Sequence, residues 1–200
     1  MTATNPDRFH LLFVCTANIC RSPIAAELTR RRIRAAGPPA DRCLLVSSAG
    51  THGHDGAAMD PRAEALLRSL GVRPAGFSAR TVTTALVATA DLVLTAERRH
   101  LEDVVALCPE AHARTFTILE FARLAGRVDP GRVIGACAVS RAVSLVREAV
   151  LMRGMTPPGA PGADDIADPH RRTDEDYRAC ATTIDGALHL PLRSILSAPV

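Results

Sequence analysis

Four short apolar runs, separated by longer stretches with a helical repeat, constrain the fold of this chain more than any other feature. The runs cover residues 9–14, 44–47, 91–95 and 115–119. Each has the length and continuous apolar character of a strand that is buried on both faces of a parallel sheet. Because strands that alternate with helices are joined by right-handed crossovers, the sequence predicts an α/β fold with three layers.

The helices between these strands are placed by capping residues and helix breakers. They are predicted over residues 22–36, 61–71, 97–107 and 173–188. The first stops at a Gly-Pro-Pro sequence, and the second begins at Asp60-Pro61, where Asp is a good cap and Pro suits the first helical position.

One segment, at about residues 126–163, interrupts the alternation. It contains an extra helix around residues 139–153, followed at 154–162 by a run of Pro and Gly that excludes regular structure. Such a loop is either a surface insertion or a mobile cover over a site, and the segment taken alone favours an insertion. We therefore predict a single domain over residues 1–200 with an insertion at about 126–163.

Composition excludes several classes of protein. Two hundred residues, 47% hydrophobic and 22% charged, are enough to bury one sizeable core. All 24 basic residues are Arg and the net charge is +3, but aromatic residues make up only 3%. Because proteins that grip nucleic acid usually add aromatic stacking surfaces to a concentrated basic face, we expect no nucleic-acid partner.

The termini and cysteines indicate the compartment. Residues 1–10 lack the features of a secretory signal, and no apolar run approaches the ~20 residues of a membrane-spanning helix. The six cysteines include no Cys-x-x-Cys pair that would indicate zinc. We expect a cytoplasmic protein with free thiols, no membrane partner, no metal and no cofactor.

The chemistry is concentrated between the first strand and the first helix, where residues 14–23 read Val-Cys-Thr-Ala-Asn-Ile-Cys-Arg-Ser-Pro. Backbone N–H groups and the positive end of the helix should converge there on an anion. Cys15 would be stabilised as a thiolate, Ser22 can donate to its sulfur, and the planar Arg21 guanidinium can bind two phosphate oxygens. This combination predicts phosphoryl transfer through a cysteinyl-phosphate.

The same ten residues resemble the phosphate loop of the low-molecular-weight protein tyrosine phosphatases. Further stretches are similar to that family, at residues 47–52, 60–71, 78–80, 90–95, 165–169 and 176–177. The resemblance implies a four-stranded parallel sheet with helices on both faces and the phosphate loop after the first strand.

The resemblance also implies roles for individual residues. Cys15 would be the nucleophile, Arg21 the phosphate clamp and Asp168 the general acid. The phosphate-binding residues would be Thr16, Ala17, Asn18, Ile19, Cys20, Arg21 and Ser22, with Asn18, Ser22 and Ser48 in the hydrogen-bond network that supports the loop. A Cys20 thiol on the same loop predicts a reversible disulfide with Cys15 under peroxide.

Three Asp-Pro pairs compete for the role of acid. Asp60 has a structural role as a helix cap, and Asp129 fits a turn inside the insertion. Asp168 precedes the last helix on the carboxyl side of the sheet, where α/β proteins bind ligands. Asp168 is therefore preferred, with Asp165 as a less favoured substitute.

The chain departs from the family at the expected rim of the substrate pocket. His54, His170 and Arg171 stand where aromatic walls are expected. Phe77 replaces a His of the family, which would leave the Asn18 network one partner short. A positive rim with fewer rings predicts weaker selectivity for aryl phosphates.

Several functions therefore remain open at the level of sequence. The leading hypothesis is a phosphomonoester hydrolase acting on phosphorylated protein tyrosine. The nearest alternative is a phosphatase of a small phosphomonoester metabolite. An arsenate reductase is less favoured because no Cys follows Asp91 until Cys108, and an inactive phosphoryl-binding module would be expected to have lost Asp168.

Overall fold

The computed structural model describes residues 7–74 and 76–197. Its four strands are β1 Phe9–Cys15, β2 Leu44–Gly50, β3 Leu92–Thr95 and β4 Thr115–Thr117. They form one sheet in the order β2-β1-β3-β4, and every neighbouring pair is parallel. The predicted α/β fold with a four-stranded parallel sheet is confirmed.

Eight α-helices lie in the described part of the chain. They are α1 Arg21–Ala35, α2 Pro38–Cys43, α3 Pro61–Ser69, α4 Thr84–Ala88, α5 Arg98–Leu107, α6 Ile118–Ala125, α7 Ala138–Met155 and α8 Asp174–Leu196. Short 3₁₀ helices cover Pro109–Arg114 and Pro130–Arg132.

The three layers follow from the alternation of side chains along β1. Leu11 and Phe13 join the larger core, which α1, α6, α7 and α8 cover, whereas Leu12 and Val14 face a smaller core with Val87 of α4. A central strand that is apolar on both faces must be covered by helices on both sides.

The structure differs from the sequence prediction at one strand end, in one additional helix and at one helix end. The fourth strand ends at Thr117 instead of residue 119, because the Thr117 hydroxyl accepts a hydrogen bond from the Glu120 amide and caps α6. The predicted break after residue 36 is followed at once by α2, which starts with two prolines. Helix α8 continues past the predicted end and through Pro191 to Leu196, because Leu192 and Ile195 are buried in the core.

The extra helix, α7, is packed into the larger core. Ala142, Leu145 and Ala149 are buried there, and Arg153 lies 3.7 Å over the ring of Phe116. The Pro- and Gly-rich run after α7 is mostly exposed. The helix thus contributes to the core, and only the loop that follows it lies on the surface.

The strand order determines which loops meet. Because β1, β2 and β3 are parallel neighbours, the residues that follow them converge at one edge of the sheet. No helix in the described residues combines the length and the apolar character needed to cross a bilayer.

Candidate active site

The loop between β1 and α1 places Cys15 beside Ser22. Cys15 is the last residue of β1 and is 2% exposed, and its Sγ lies 3.0 Å from the Ser22 Oγ. A thiolate formed at this sulfur has a hydroxyl donor within hydrogen-bond distance and the N-terminus of α1 nearby.

Asn18 holds the loop in a left-handed conformation. Its φ is 58°, an angle that Asn tolerates better than most residues. Its Nδ2 donates to the Ser22 Oγ and the Ser48 Oγ, both at 2.9 Å, and its Oδ1 accepts from the Arg80 amide at 3.0 Å. The Asn18 amide thus has partners for both its nitrogen and its oxygen, and the effect of Phe77 on the rest of the network stays a prediction.

The segment after β2 ties down the phosphate loop. The amides of Thr51, His52 and His54 donate to the carbonyls of residues 15, 16 and 17 at 2.9 to 3.1 Å. Such close packing requires Gly50, since a Cβ at that position would lie 2.3 Å from the Thr16 carbonyl oxygen. The loop is therefore fixed from its own interior and from β2.

Arg21 is 1% exposed and lies between two carboxylates. One guanidinium nitrogen is bonded to Glu97 and donates to the Ile166 carbonyl at 3.1 Å. The other donates to the Asp168 Oδ2 at 2.7 Å and to the Thr16 Oγ1 at 3.3 Å. Among the described residues the buried Nε has no hydrogen-bond partner, which leaves a donor available to an oxyanion.

Glu97 and His100 are site residues that the sequence analysis missed. Burial alone would raise the pKa of Glu97, but hydrogen bonds from Arg99 and Arg21 outweigh it and hold that pKa below its usual value. Burial, with the positive charge of Arg21, lowers the pKa of His100 to about 4. The position of Glu97 just after β3 was a signal, because carboxyl ends of parallel strands carry ligand-binding residues.

The neutral His100 also fixes the Thr16 hydroxyl. Its Nε2 lies 2.9 Å from the Thr16 Oγ1, which accepts from Arg21 and Arg99 at 3.3 Å. A hydroxyl has one proton, so Thr16 donates it to the His100 nitrogen. The Thr16 hydroxyl thereby connects the Arg21 guanidinium to His100 on α5.

Of the four candidate acids, Asp168 is the one that contacts Arg21 in the described structure. Asp60 caps α3 by accepting from the amides of Arg62 and Ala63, and Asp129 accepts from the Gly131 amide in a turn. Asp165 accepts from the Arg98 amide at 2.7 Å. The Asp168 Oδ1 likewise accepts from the His170 amide at 3.1 Å, so what distinguishes Asp168 from the other three is the contact of its Oδ2 with Arg21.

His170 turns toward Cys20. Its Nδ1 lies 4.0 Å from the Cys20 Sγ and 3.4 Å from the Asp60 Oδ2, while the Tyr177 hydroxyl lies 3.7 Å from the same sulfur. Burial raises the pKa of Cys20 to about 12, so this thiol stays protonated near neutral pH. The other two rim candidates, His54 and Arg171, are exposed.

A buried thiol, a complete loop network and a clamping guanidinium define the class of cysteine-dependent phosphatases. Comparison with known proteins leads to the same class, because the family model of the low molecular weight phosphotyrosine protein phosphatases matches residues 10–130 of this chain. The low molecular weight protein-tyrosine-phosphatase Etp of Escherichia coli K12 is 33% identical over 122 residues, 61% of this chain and 77% of Etp. Low molecular weight protein-tyrosine phosphatase A of Mycobacterium tuberculosis H37Rv is 40% identical over 95 residues, 47% of this chain and 56% of that protein.

A solved structure extends the similarity beyond the matched range. The YwlE arginine phosphatase of Geobacillus stearothermophilus superimposes with a TM-score of 0.64 at 25% identity, covering 91% of this chain and 89% of YwlE. The chain belongs to the low molecular weight phosphotyrosine protein phosphatase family and is a cysteine-dependent phosphatase, as its loop motif predicted. Because the family match ends before Asp168, the role of that residue depends on its geometry.

Proposed function

We propose that this phosphatase hydrolyses phosphotyrosine in proteins, with Cys15 as nucleophile, Arg21 as phosphate clamp and Asp168 as general acid. The observation that carries the proposal is the contact between Asp168 and Arg21, at 2.7 Å, beside the loop that holds Cys15. It places the carboxyl group that would protonate the leaving oxygen beside the group that would bind the phosphate.

The first chemical step forms a sulfur–phosphorus bond. The Cys15 thiolate attacks phosphorus, the bond to the leaving oxygen breaks, and Asp168 gives that oxygen a proton. The Ser22 hydroxyl, 3.0 Å from the sulfur, can donate to the thiolate before attack and again when it is released.

The second step regenerates the thiolate. Asp168, now ionised, accepts a proton from a water molecule as the water attacks phosphorus, and the sulfur–phosphorus bond breaks to release inorganic phosphate and the Cys15 thiolate. The Arg21 guanidinium and the loop amides stabilise the charge on the phosphoryl oxygens in both steps.

Substrate binding would exchange one partner of Arg21 for another. A phosphate dianion displaces the Asp168 carboxylate from Arg21 and also accepts from the free Nε, while Glu97 keeps the far side of the guanidinium in place. Asp168 is then released beside the leaving group, and it takes up a proton from solvent before it acts as the acid. The ion pair between Arg21 and Asp168 thus holds the acid near the site and leaves the Cys15 sulfur free to react.

We also propose that residues 1–200 work as one domain in a reducing compartment such as the cytoplasm. Helix α7 shares the larger core with α1 and α8, which supports one domain. All six cysteines are free, and a thiolate nucleophile must be kept reduced to act.

A substrate panel tests the proposed function. It contains a phosphotyrosine peptide, the matched phosphoserine peptide, a sugar phosphate, and phosphoarginine because YwlE is an arginine phosphatase. We expect the highest kcat/KM for the phosphotyrosine peptide, and no turnover of it by Cys15→Ser. A sugar phosphate or phosphoarginine that is hydrolysed faster would replace the proposed substrate, and phosphate binding without hydrolysis of any compound would indicate a binding module.

A further inference from the structure

Three metal-ligating side chains from separate segments converge beside the phosphate loop. They are the Cys20 thiol on the loop, the Asp60 carboxylate at the start of α3 and the His170 imidazole directly after Pro169. One ligand atom from each lies within 4.8 Å of the other two. We call these three residues the Cys20 cluster.

The carboxylate of the cluster is held in place. The Asp60 Oδ1 accepts from the amides of Arg62 and Ala63, at 2.9 and 3.4 Å, which leaves Oδ2 facing the His170 Nδ1 at 3.4 Å. Bonds from the backbone to one oxygen orient the other, as surrounding groups do for the ligands of a metal.

The cluster is buried on its Cys20 side and exposed to solvent on its His170 side. Cys20 is 3% exposed, and the Tyr177 hydroxyl lies 3.7 Å from its sulfur. The side chain of His170 is 39% exposed, so an ion can approach from the imidazole side.

We propose that the Cys20 cluster binds a divalent transition metal, with Zn²⁺ as the best match and water as a fourth ligand. Zinc takes thiolate, imidazole and carboxylate ligands at about 2.0–2.3 Å in a tetrahedron, which sets the ligand atoms roughly 3.3–3.8 Å apart. The His170–Asp60 separation of 3.4 Å already fits, and the His170–Cys20 separation of 4.0 Å needs a small contraction. On binding, the Cys20 thiol loses its proton to solvent and the sulfur bonds to the metal.

Metal at this cluster would affect the catalytic groups through His170. The His170 amide donates to the Asp168 Oδ1 at 3.1 Å, and the other oxygen of Asp168 binds Arg21. A metal that holds His170 against Cys20 therefore holds Asp168 on Arg21, where phosphate must bind. Zn²⁺ should therefore raise the apparent KM for substrate more than it lowers kcat. This kinetic effect rests on the proposed function, whereas the binding of the metal itself does not.

The direct test measures Zn²⁺ binding to Cys15→Ser protein by isothermal titration calorimetry, so that the nucleophile cannot contribute a ligand. We expect one site per chain. Adding His170→Phe or Asp60→Asn should weaken binding by about 10- to 100-fold or more, at least the cost of losing an outer-shell partner of a metal ligand. His52→Phe, at an exposed histidine after β2, is the matched control and should leave the affinity unchanged.

Cobalt provides a second readout. Co²⁺ added to Cys15→Ser protein should produce a thiolate-to-cobalt absorption band, and adding Cys20→Ala should remove it. Asp60→Asn keeps an oxygen acceptor for the amides that start α3. The Cys15→Ser protein should therefore unfold at the same temperature with and without this second substitution.

Absence of Zn²⁺ binding to Cys15→Ser protein would overturn the proposal. The proposal would also be overturned if adding His170→Phe or Asp60→Asn left the Zn²⁺ affinity of the Cys15→Ser protein unchanged. The cluster would then be a set of hydrogen-bonded packing residues. No substrate is present in these titrations, so their result is separate from that of the substrate panel.

Discussion

The phosphate loop meets residues 165–172, here called the acid loop because they carry the proposed acid Asp168, at Arg21, but the two loops are built differently. The phosphate loop is largely buried, with only residues 16, 17 and 19 partly exposed, and it is held by its own Asn18 and by the segment after β2. In the acid loop, residues 167 and 170–172 are exposed, and a bond from the Ile166 amide to the Ala96 carbonyl attaches it to the end of β3. Groups that bind a dianion benefit from preorganisation, whereas in the proposed mechanism Arg21 must exchange its contact with Asp168 for one with the substrate.

The largest expected effect belongs to Cys15, the proposed nucleophile on the rigid loop. Cys15→Ser should lower kcat by at least about 10⁴-fold, the scale seen when a nucleophile is removed. Vanadate or phosphate binding should persist, because the loop amides and Arg21 remain. A loss much smaller than about 10⁴-fold, in protein free of wild-type enzyme, would show that Cys15 is not the nucleophile.

Asp168→Asn tests the acid loop and should have the next largest effect. We expect kcat to fall by about 10²–10⁴-fold, the usual contribution of a general acid, with one limb of the pH–rate profile flattened. The loss should be smaller for p-nitrophenyl phosphate than for phenyl phosphate, since nitrophenolate leaves without a proton. Asp129→Asn and Asp165→Asn are the matched controls, and the same pattern in either one would move the role of acid away from Asp168.

Asn18→Ala should show how much of the rigidity of the phosphate loop depends on one side chain. The change removes three hydrogen bonds and leaves the Arg80 amide and the Ser48 hydroxyl without this partner, at a cost of about 2–4 kcal/mol in the free energy of unfolding. Denaturant unfolding measures the loss. Ser48→Ala removes a single partner and should cost less, so equal losses would contradict a network centred on Asn18.

Protonation of His100 should weaken the support behind Arg21 at low pH. Its pKa is about 4 in the folded protein, below the usual value of 6.5, so the unfolded chain binds the proton first. Stability is therefore full above about pH 6.5 and falls between pH 6.5 and 4, by about 1–3 kcal/mol. Between pH 6.5 and 4, the unfolding free energy should fall less in His100→Gln than in the wild-type protein. Burial also lowers the pKa of His10, but the resulting loss is the same in both proteins. Identical pH profiles would show that His100 is not the group that titrates.

The smallest effect is expected at the rim. His170→Tyr should raise the ratio of kcat/KM for phenyl phosphate over an alkyl phosphate by about 2- to 10-fold, since aromatic contacts contribute roughly 0.5–1.5 kcal/mol beyond buried area. The measured ratio should not change in His54→Tyr if the exposed His54 side chain stays in solvent. An unchanged ratio in His170→Tyr would show that position 170 does not line the pocket.

Local sequence was sufficient for features that a few neighbouring residues define. The apolar runs predicted the sheet, and the run from Cys15 to Ser22 predicted a strand, an anion-binding loop and a helix start in the right order. These predictions succeed because a strand, a tight loop and a helix N-terminus depend on contacts between residues close in the chain. The family resemblance singled out Ser48, and it selected Asp168 only together with the local cap and turn rules that excluded Asp60 and Asp129.

Tertiary structure decided which distant side chains meet that loop. Glu97 and His100 reach Arg21 and Thr16 only because β3 lies beside β1, and His170 reaches Cys20 only because the segment before α8 returns to the same edge of the sheet. Helix α8 runs through Pro191 for a similar reason, since burial of Leu192 and Ile195 outweighs a local preference to stop. Local propensities carry no information about such contacts, because their free energy comes from surfaces that are brought together only when the sheet has formed.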